Sequence, residues 1–223
     1  MAKGIIFDFN GTLFWDSPLH YHAWKEFSKK LRGYEFTDEE MQKYMFGRTN
    51  DDIITYAMGA KQPKEISEQL AKEKESYYRD MCRRNPANFV LAPGVIEFLD
   101  YLKANDIPRT IATMSEKDNV DFYVKEFNLA KWFDIEKIVY SDGTFLGKPA
   151  PDIFLIASEK IGMHPKDCIV FEDALSGIVA ARNAGVGEII AVTSMEDENY
   201  YKNIEGVSMI ISDFNNVISC VSL

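Results

Sequence analysis

The chain has 223 residues and a mass of 25.5 kDa, with 46% hydrophobic and 27% charged residues. This composition is that of a globular domain, or of one carrying a smaller domain, and it excludes disordered, collagen-like and coiled-coil chains. An excess of acidic residues gives a formal net charge of −10, which disfavours nucleic acid and anionic membranes as partners. Binding of an anionic substrate therefore needs a metal ion or nearby cationic side chains to offset the negative charge of the protein.

The hydrophobic runs and the cysteines indicate the cellular compartment of the protein. No apolar run approaches the ~18–20 residues needed to cross a bilayer, and Asp8 interrupts the first apolar stretch, so we expect neither a membrane span nor a signal peptide. The three cysteines, Cys82, Cys168 and Cys220, are widely spaced and form no CxxC pair, which predicts neither a disulfide framework nor a zinc site. These features favour a cytoplasmic protein.

Short β-rich runs alternate with helical patterns over most of the chain. The predicted strands are 4–9, 109–113, 135–140, 168–171, 188–193 and 209–212. The predicted helices between them are 94–105, 116–127, 150–161 and 174–184. Strands separated by helices indicate an α/β fold with a doubly wound parallel sheet, and continuously apolar strands indicate a sheet covered on both faces.

Residues 17–88 break this alternation, because they contain helical periodicity and no convincing strand. Ile66, Leu70, Tyr77 and Met81 recur on one face of a helix, and the KEKE run at 72–75 is expected to be a solvated face. We therefore predict an α-helical cap domain at 17–88, inserted into a core domain that comprises 1–16 and 89–223.

Carboxylates follow two of the predicted strands. Asp8 ends the first strand, although the adjacent Asn10-Gly11 pair is by itself a turn signal. Glu172 and Asp173 end the fourth, and Asp173 alone could equally cap the next helix. Because ligands bind at the carboxyl ends of strands in such sheets, three carboxylates there predict a Mg²⁺ site.

Two further segments could hold a phosphate. Lys148 lies in the run GKPAPD, whose glycine and prolines fix the backbone, and a lysine near carboxylates would orient a phosphate. Thr113, Met114 and Ser115 end the second strand; Ser115 is expected to cap the following helix, and its hydroxyl and the nearby N–H groups also form an anion site. His20 lies without metal-binding spacing on the first cap helix, where a packing role is the simpler interpretation.

Together these residues resemble the haloacid dehalogenase-like hydrolase superfamily, and most closely its β-phosphoglucomutase and phosphatase branch with a helical cap. The four motifs of that superfamily occur in order as DFNGT at 8–12, Thr113, Lys148 and the Glu172-Asp173 pair. The runs GKPAPDIF at 147–154 and FEDALSGI at 171–178 are specific to the branch.

The resemblance implies a mechanism. Asp8 is the nucleophile and forms an aspartyl-phosphate, while Mg²⁺ bridges Asp8 and the phosphate. Asp173 and the backbone carbonyl of Asn10 ligate the metal, and Glu172 acts through water.

The resemblance also implies how the substrate is held. Thr113 and Lys148 bind the phosphate oxygens, with Met114 and Ser115 in the same substrate-binding segment. His20 and the cap run Gly47-Arg48-Thr49, with Arg48 as its charged residue, close over the site and select the leaving group.

One residue departs from the family pattern. The family has Asp as general acid and base two residues after the nucleophile, whereas this chain has Asn10. Loss of general acid–base catalysis typically lowers the rate by ~10²–10⁴-fold. Three explanations remain open: an enzyme with another proton donor or with good leaving groups, a low-activity binder, and an engineered trap variant.

The favoured function is a Mg²⁺-dependent phosphatase for a small phosphorylated metabolite, such as a sugar phosphate, acting as a monomer or weak homodimer. A phosphomutase is the first alternative, but it needs proton transfer at two hydroxyls, so Asn10 counts more heavily against it. A phosphate-binding protein with low turnover is the second, and the retained Asp8 argues against that.

Overall fold

The computed structural model describes residues 3–45, 48–194 and 197–221. The chain forms two compact units. The sheet unit comprises Met1–Trp15 and Val90–Leu223, and the helical unit comprises Asp16–Phe89. Within the described ranges, no helix combines the length and the apolar character that a bilayer span requires.

The sheet unit is built on six parallel strands. They are β1 (Gly4–Phe7), β2 (Arg109–Glu116), β3 (Val139–Ser141), β4 (Cys168–Glu172), β5 (Glu188–Val192) and β6 (Met209–Ile211). Their order in the sheet is β3-β2-β1-β4-β5-β6, and every neighbouring pair is parallel. The predicted parallel α/β fold is confirmed. The strand order reverses beside β1, the position where open α/β sheets bind their ligands.

The helical unit consists of α1 (Ser17–Arg32), α2 (Asp38–Tyr44), α3 (Asn50–Met58) and α4 (Lys64–Arg84). The described part of this unit contains no strand. Thr37 and Thr49 are the N-cap residues of α2 and α3, and each forms a capping box. The threonine hydroxyl accepts from the backbone N–H three residues on, and the acidic side chain of that residue accepts from the threonine N–H.

The buried face of α4 differs from the prediction. Of the predicted apolar stripe, Ile66 is 46% exposed, whereas Leu70 is partly buried and packs against the hydrophobic core of the helical unit. The buried residues of α4 are Ser67, Ala71, Lys74, Glu75, Tyr78 and Cys82. The expectation of a solvated face at 72–75 is wrong for Lys74 and Glu75.

A hydrogen-bonded pair explains why two charged residues are buried there. The Lys74 ammonium donates to Glu75 Oε1 at 2.7 Å and lies 3.0 Å from His20 Nδ1. Asn50 Nδ2 donates to the same Glu75 oxygen at 3.0 Å. Buried charges are tolerated when they are paired and hydrogen-bonded in this way.

We expect Lys74→Met to lower the free energy of unfolding by roughly 3 kcal/mol, because it leaves a buried carboxylate without its cation. Urea unfolding of the purified protein measures the change. The matched control is Lys72→Met on the exposed side of α4, where we expect a change within about 0.5 kcal/mol. Equal stabilities of the two variants would contradict the assigned pairing.

The sheet unit has six further helices: α5 (Val95–Ala104), α6 (Lys117–Glu126), α7 (Asp152–Lys160), α8 (Leu175–Asn183), α9 (Glu198–Tyr201) and α10 (Val217–Cys220). The first four lie within two residues of their predicted bounds. The predicted strand at 135–140 is wrong at its start: Ile135–Lys137 form a 3₁₀ turn, because the Asp134 side chain accepts the N–H of Glu136. The strand begins at Val139.

Both faces of the sheet are covered, as predicted from the apolar strands. Ile6 and Val170 belong to a cluster with Ile153 of α7 and Ile178 of α8. The adjacent residues point the other way, because side chains alternate along a strand. There, Phe7 and Phe171 stack at 5.1 Å between ring centroids and meet the rings of Phe98 and Phe214. The central strands are thereby fixed, and with them the residues at their carboxyl ends.

Candidate active site

The loop after β1 is both a tight turn and part of the site. Asp8 remains tied to the neighbouring strand, because its N–H donates to the Phe171 carbonyl at 2.9 Å. The chain then reverses: the Phe14 N–H donates to the Phe9 carbonyl at 3.0 Å. Gly11 has φ +83°, a conformation that glycine adopts most easily. The turn signal at Asn10-Gly11 is therefore correct, and it coexists with the carboxylate that precedes it.

Lys148 lies between two buried carboxylates. Its Nζ is 2.5 Å from Asp8 Oδ1 and 2.6 Å from Glu172 Oε1. Burial by itself lowers the pKa of Lys148, but the two carboxylates outweigh it and hold that pKa above its ordinary value. The ammonium is therefore charged at neutral pH, and it screens Asp8 from Glu172 at the carboxyl ends of β1 and β4.

Asp173 lies against the loop after β1. Thr12 Oγ1 donates to Asp173 Oδ1 at 3.0 Å, and a Cβ on Gly11 would stand only 2.1 Å from Asp173 Oδ2. Burial and then the charges of Glu172 and Asp8 raise the pKa of Asp173 well above its ordinary value. The helix-capping interpretation is wrong, since Ala174 occupies the N-cap of α8 with no side-chain cap bond. Asp173 instead accepts a hydrogen bond from Thr12 of the loop after β1.

Glu172 is fixed on two sides. Its Oε1 accepts from Lys148, and its Oε2 accepts from the Ala174 N–H at 2.6 Å. A Cβ on Gly177 would lie 1.6 Å from Oε1. Gly177 therefore gives the carboxylate its space. We did not single out this glycine from the sequence, although a glycine inside a predicted helix is costly enough to be a signal.

We expect Gly177→Ala to displace the Glu172 carboxylate from Lys148 and to reduce turnover of a phosphate ester by at least about tenfold, because the loss of one hydrogen bond in the site has about that effect on a rate. Steady-state kinetics and a circular dichroism spectrum measure activity and folding together. Ser176→Ala, the adjacent substitution in α8, is the control and should retain activity. A fully active Gly177→Ala enzyme would mean that Glu172 has no fixed position in the site.

A Mg²⁺ ion at this site would be held by two carboxylates rather than three. Within the described ranges, no group of three His, Cys, Asp or Glu side chains is placed to hold a metal ion. Lys148 occupies the position between Asp8 and Glu172. Mg²⁺ is commonly held by one or two carboxylates with waters, so Asp8, Asp173 and the Asn10 carbonyl suffice.

Charge also favours a cation at this place. Residues 16–89 contain equal numbers of acidic and basic side chains, so the whole net charge of −10 falls on the sheet unit. Burial raises the pKa of Asp173 first, and the neighbouring charges of Glu172 and Asp8 raise it further. The metal assignment stays a prediction.

The ends of β1 and β2 meet through hydroxyls and an amide. Ser115 Oγ donates to Asn10 Oδ1 at 2.7 Å, and Thr113 Oγ1 donates to the same oxygen at 3.3 Å. The expectation that Ser115 caps a helix is wrong: β2 extends to Glu116, and Glu116 is the N-cap of α6. Met114, between the two hydroxyl residues, is 37% exposed.

Tyr123 is a hydrogen-bond partner of Asn10 that sequence reasoning missed. It belongs to α6, and its hydroxyl accepts from Asn10 Nδ2 at 2.9 Å. The two residues are 113 positions apart, so no local pattern could have joined them. Its sequence context indicated only a helix.

The two cap residues proposed for substrate binding lie in the helical unit. His20 Nε2 is 3.3 Å from Asp16 Oδ2, and the imidazole stacks on Tyr78 at 3.8 Å. Arg48 is exposed, and Gly47 lies outside the described residues. Roles of His20 and Arg48 toward a substrate stay predictions.

Comparison with known proteins identifies the family of this chain. A family model described as haloacid dehalogenase-like hydrolase matches residues 5–192. A phosphorylated carbohydrates phosphatase of Thermotoga maritima is 28% identical over 194 residues, covering 85% of each chain. The fructose-1-phosphate phosphatase YqaB of Escherichia coli is 30% identical, over 83% of this chain and 94% of its own.

A solved structure is also similar over almost the whole length. A HAD hydrolase of family IA, variant 3, from Entamoeba histolytica is 40% identical with a TM-score of 0.90, covering 96% of this chain and 94% of its own. The fold and the order of the four motifs along the chain agree with these matches. This chain belongs to the haloacid dehalogenase-like hydrolase family.

Proposed function

We propose that this chain is a Mg²⁺-dependent phosphatase that hydrolyses a small phosphorylated metabolite, such as a sugar phosphate, through an aspartyl-phosphate on Asp8. The named phosphatases among its relatives support a phosphoric monoester hydrolase. The observation that carries the proposal is the placement of Lys148 between Asp8 and Glu172 at the point where the strand order reverses.

Asp8 performs the first chemical step. Its carboxylate oxygen forms a bond to the substrate phosphorus while the bond from phosphorus to the leaving oxygen breaks. Lys148 stabilises the charge on the transferring group. Thr113 and Ser115 would donate to phosphate oxygens once their hydroxyls turn away from Asn10 Oδ1, to which they donate in the absence of substrate. Positioning and electrostatics are what phosphoryl transfer chiefly requires of a protein.

The metal would be held by Asp8, Asp173 and the backbone carbonyl of Asn10, with Glu172 acting through water. When bound, it neutralises phosphate charge during transfer. The side chain of Glu172 is already committed to Lys148 and to the Ala174 N–H, which is compatible with an indirect role.

Water must then attack the phosphorus of the aspartyl-phosphate, and this step requires removal of a proton. An amide such as that of Asn10 cannot take it, so we expect breakdown of the intermediate to limit turnover. The lack of a proton-transferring side chain at Asn10 also disfavours a phosphomutase, which needs proton transfer at two hydroxyls.

The test uses an activated aryl phosphate, whose leaving group needs no proton. With Mg²⁺ present, we expect a burst of phenol equal to the enzyme concentration, followed by a slow steady state. The same protein with excess chelator is the control and should give no burst. Absence of a burst under both conditions would reject the covalent phosphatase and favour a phosphate-binding protein.

Metal binding has a separate prediction. We expect Mg²⁺ to raise the melting temperature, because a ligand that binds only the folded state stabilises it. Asp173→Ala should abolish the shift, whereas Glu159→Ala, an exposed position on α7, should retain it. A shift that persists in Asp173→Ala would show that the assigned ligands are wrong.

A further inference from the structure

Tyr201 lies in the sheet unit beside the segment that follows β4. It belongs to the short helix α9 and is 1% exposed, and its ring is part of the hydrophobic cluster that contains Ile6 and Val170. Its hydroxyl donates to the main-chain carbonyl of Asp173 at 2.7 Å. A buried tyrosine hydroxyl usually has a partner, and here the partner belongs to a residue of the candidate metal site.

The peptide group between Asp173 and Ala174 is hydrogen-bonded on both of its sides. Its carbonyl accepts from Tyr201, and its N–H, which belongs to Ala174, donates to Glu172 Oε2 at 2.6 Å. This peptide bond is trans. A trans peptide group is planar, and its C=O and N–H point in opposite directions. The bond that fixes the carbonyl therefore also sets the direction of the N–H that holds Glu172.

This peptide group lies between two regular elements and belongs to neither. β4 ends at Glu172, and Ala174, the N-cap of α8, has no side-chain cap bond. Within the described ranges, two side chains donate to Asp173: Thr12 to the carboxylate and Tyr201 to the carbonyl. Tyr201 thus anchors the backbone of a residue whose side chain is held separately, from the loop after β1.

We propose that Tyr201 is a positioning residue for the metal site. Its hydroxyl holds the Asp173–Ala174 peptide group in the orientation that places the carboxylates of Glu172 and Asp173. The proposal rests on the proposed function, because that function makes Asp173 a ligand of Mg²⁺ and gives Glu172 an indirect role. Tyr201 contacts neither metal nor substrate in this role; it keeps the segment after β4 in its binding orientation before the metal arrives.

The size of the effect follows from this pre-organisation. The bond from Tyr201 is present without metal, so it changes affinity through the fraction of molecules in the binding orientation. The apparent dissociation constant is the intrinsic constant divided by that fraction. One hydrogen bond changes such an equilibrium by up to roughly tenfold. We therefore expect Tyr201→Phe to raise the dissociation constant of Mg²⁺ by about threefold to tenfold.

Calorimetry with Mg²⁺ alone measures this constant for the unmodified protein and for Tyr201→Phe, which keeps the ring in its cluster. Tyr200→Phe is the control for loss of a hydroxyl from α9, because Tyr200 is 43% exposed. We expect Tyr200→Phe to bind Mg²⁺ as tightly as the unmodified protein does. Equal Mg²⁺ affinity of Tyr201→Phe and the unmodified protein would overturn the role of Tyr201.

A second pair of variants perturbs α9 without changing the buried ring. Asp197 caps this helix, because its side chain accepts from the N–H groups of Asn199 and Tyr200. Asp197→Ala removes the cap and should weaken Mg²⁺ binding in the same direction as Tyr201→Phe. Asp197→Asn retains a capping side chain and should bind normally, which excludes the lost charge as the cause. Equal affinities of these two variants would contradict the positioning by α9.

The Mg²⁺ dependence of the burst gives a readout that a purely structural role would not change. With an aryl phosphate, Tyr201→Phe should need about threefold to tenfold more Mg²⁺ to reach the half-maximal burst rate. At saturating Mg²⁺, its burst rate constant should be nearly that of the unmodified protein. A burst rate that excess Mg²⁺ does not restore would overturn the proposal. An unmodified protein that binds no Mg²⁺ overturns the metal site of the proposed function as well.

Discussion

Asn10→Asp is expected to raise turnover of alkyl phosphates by ~10²–10⁴-fold, the range that general acid–base catalysis supplies. The carboxylate would protonate the leaving oxygen and then accept a proton from the attacking water. The structure favours the lower part of this range. Thr113 and Ser115 already donate to the oxygen at this position, and hydroxyl donors to a carboxylate lower its pKa, so less of it would be protonated and able to donate a proton at neutral pH.

Stopped-flow measurement of phenol release checks this prediction, since the slow phase after the burst should become faster in Asn10→Asp. Asn215→Asp, at an exposed position of the same unit, is a control for the added charge. If Asn10→Asp changes neither phase, another group already supplies the proton. His20 would be tested first, with His20→Ala expected to slow the second phase.

Asp8→Asn is expected to lower turnover by about 10⁴–10⁶-fold, the size of effect produced by removing a covalent nucleophile. The burst should vanish, because no aspartyl-phosphate can form. Folding should be retained: the amide has nearly the same shape, and Lys148 keeps its ion pair with Glu172.

The controls for Asp8→Asn are chosen to separate chemistry from binding. Glu159→Gln, an isosteric change at an exposed position of α7, should leave the burst intact. Phosphate binding by Asp8→Asn, measured by calorimetry, should persist, since Thr113, Ser115 and Lys148 remain. Turnover retained in Asp8→Asn would mean that water attacks the substrate directly and that the covalent mechanism is wrong.

Much of the fold could be predicted from the sequence because the signals are local. The central strands are continuous apolar runs, and their burial on both faces follows from that pattern. Helices α5 to α8 were placed within two residues because each has its own periodicity and stop signals. The acids at 8, 172 and 173 could be assigned to one edge because parallel strands all end there.

Predictions from local sequence patterns were wrong where a residue distant in sequence offered the side chain another hydrogen-bond partner. Ser115 and Asp173 both stand one or two residues before a helix, the usual place for a capping side chain, yet neither caps. Ser115 donates to Asn10 and Asp173 accepts from Thr12, contacts between segments distant in sequence. Lys74 likewise lies in a run of charged residues, but it is buried and its ammonium contacts His20 of α1 and Glu75.

The sequence by itself determined the fold class, the order of the motifs and the chemical types of the residues that meet at the sheet edge. Only the tertiary structure decided how those residues are paired. Lys148 joins Asp8 and Glu172 across 140 and 24 positions, and Tyr123 joins Asn10 across 113. The reason is physical: periodicity and capping depend on neighbours within a turn or two, whereas hydrogen bonds of a buried site depend on which strands pair and how the helices pack upon them.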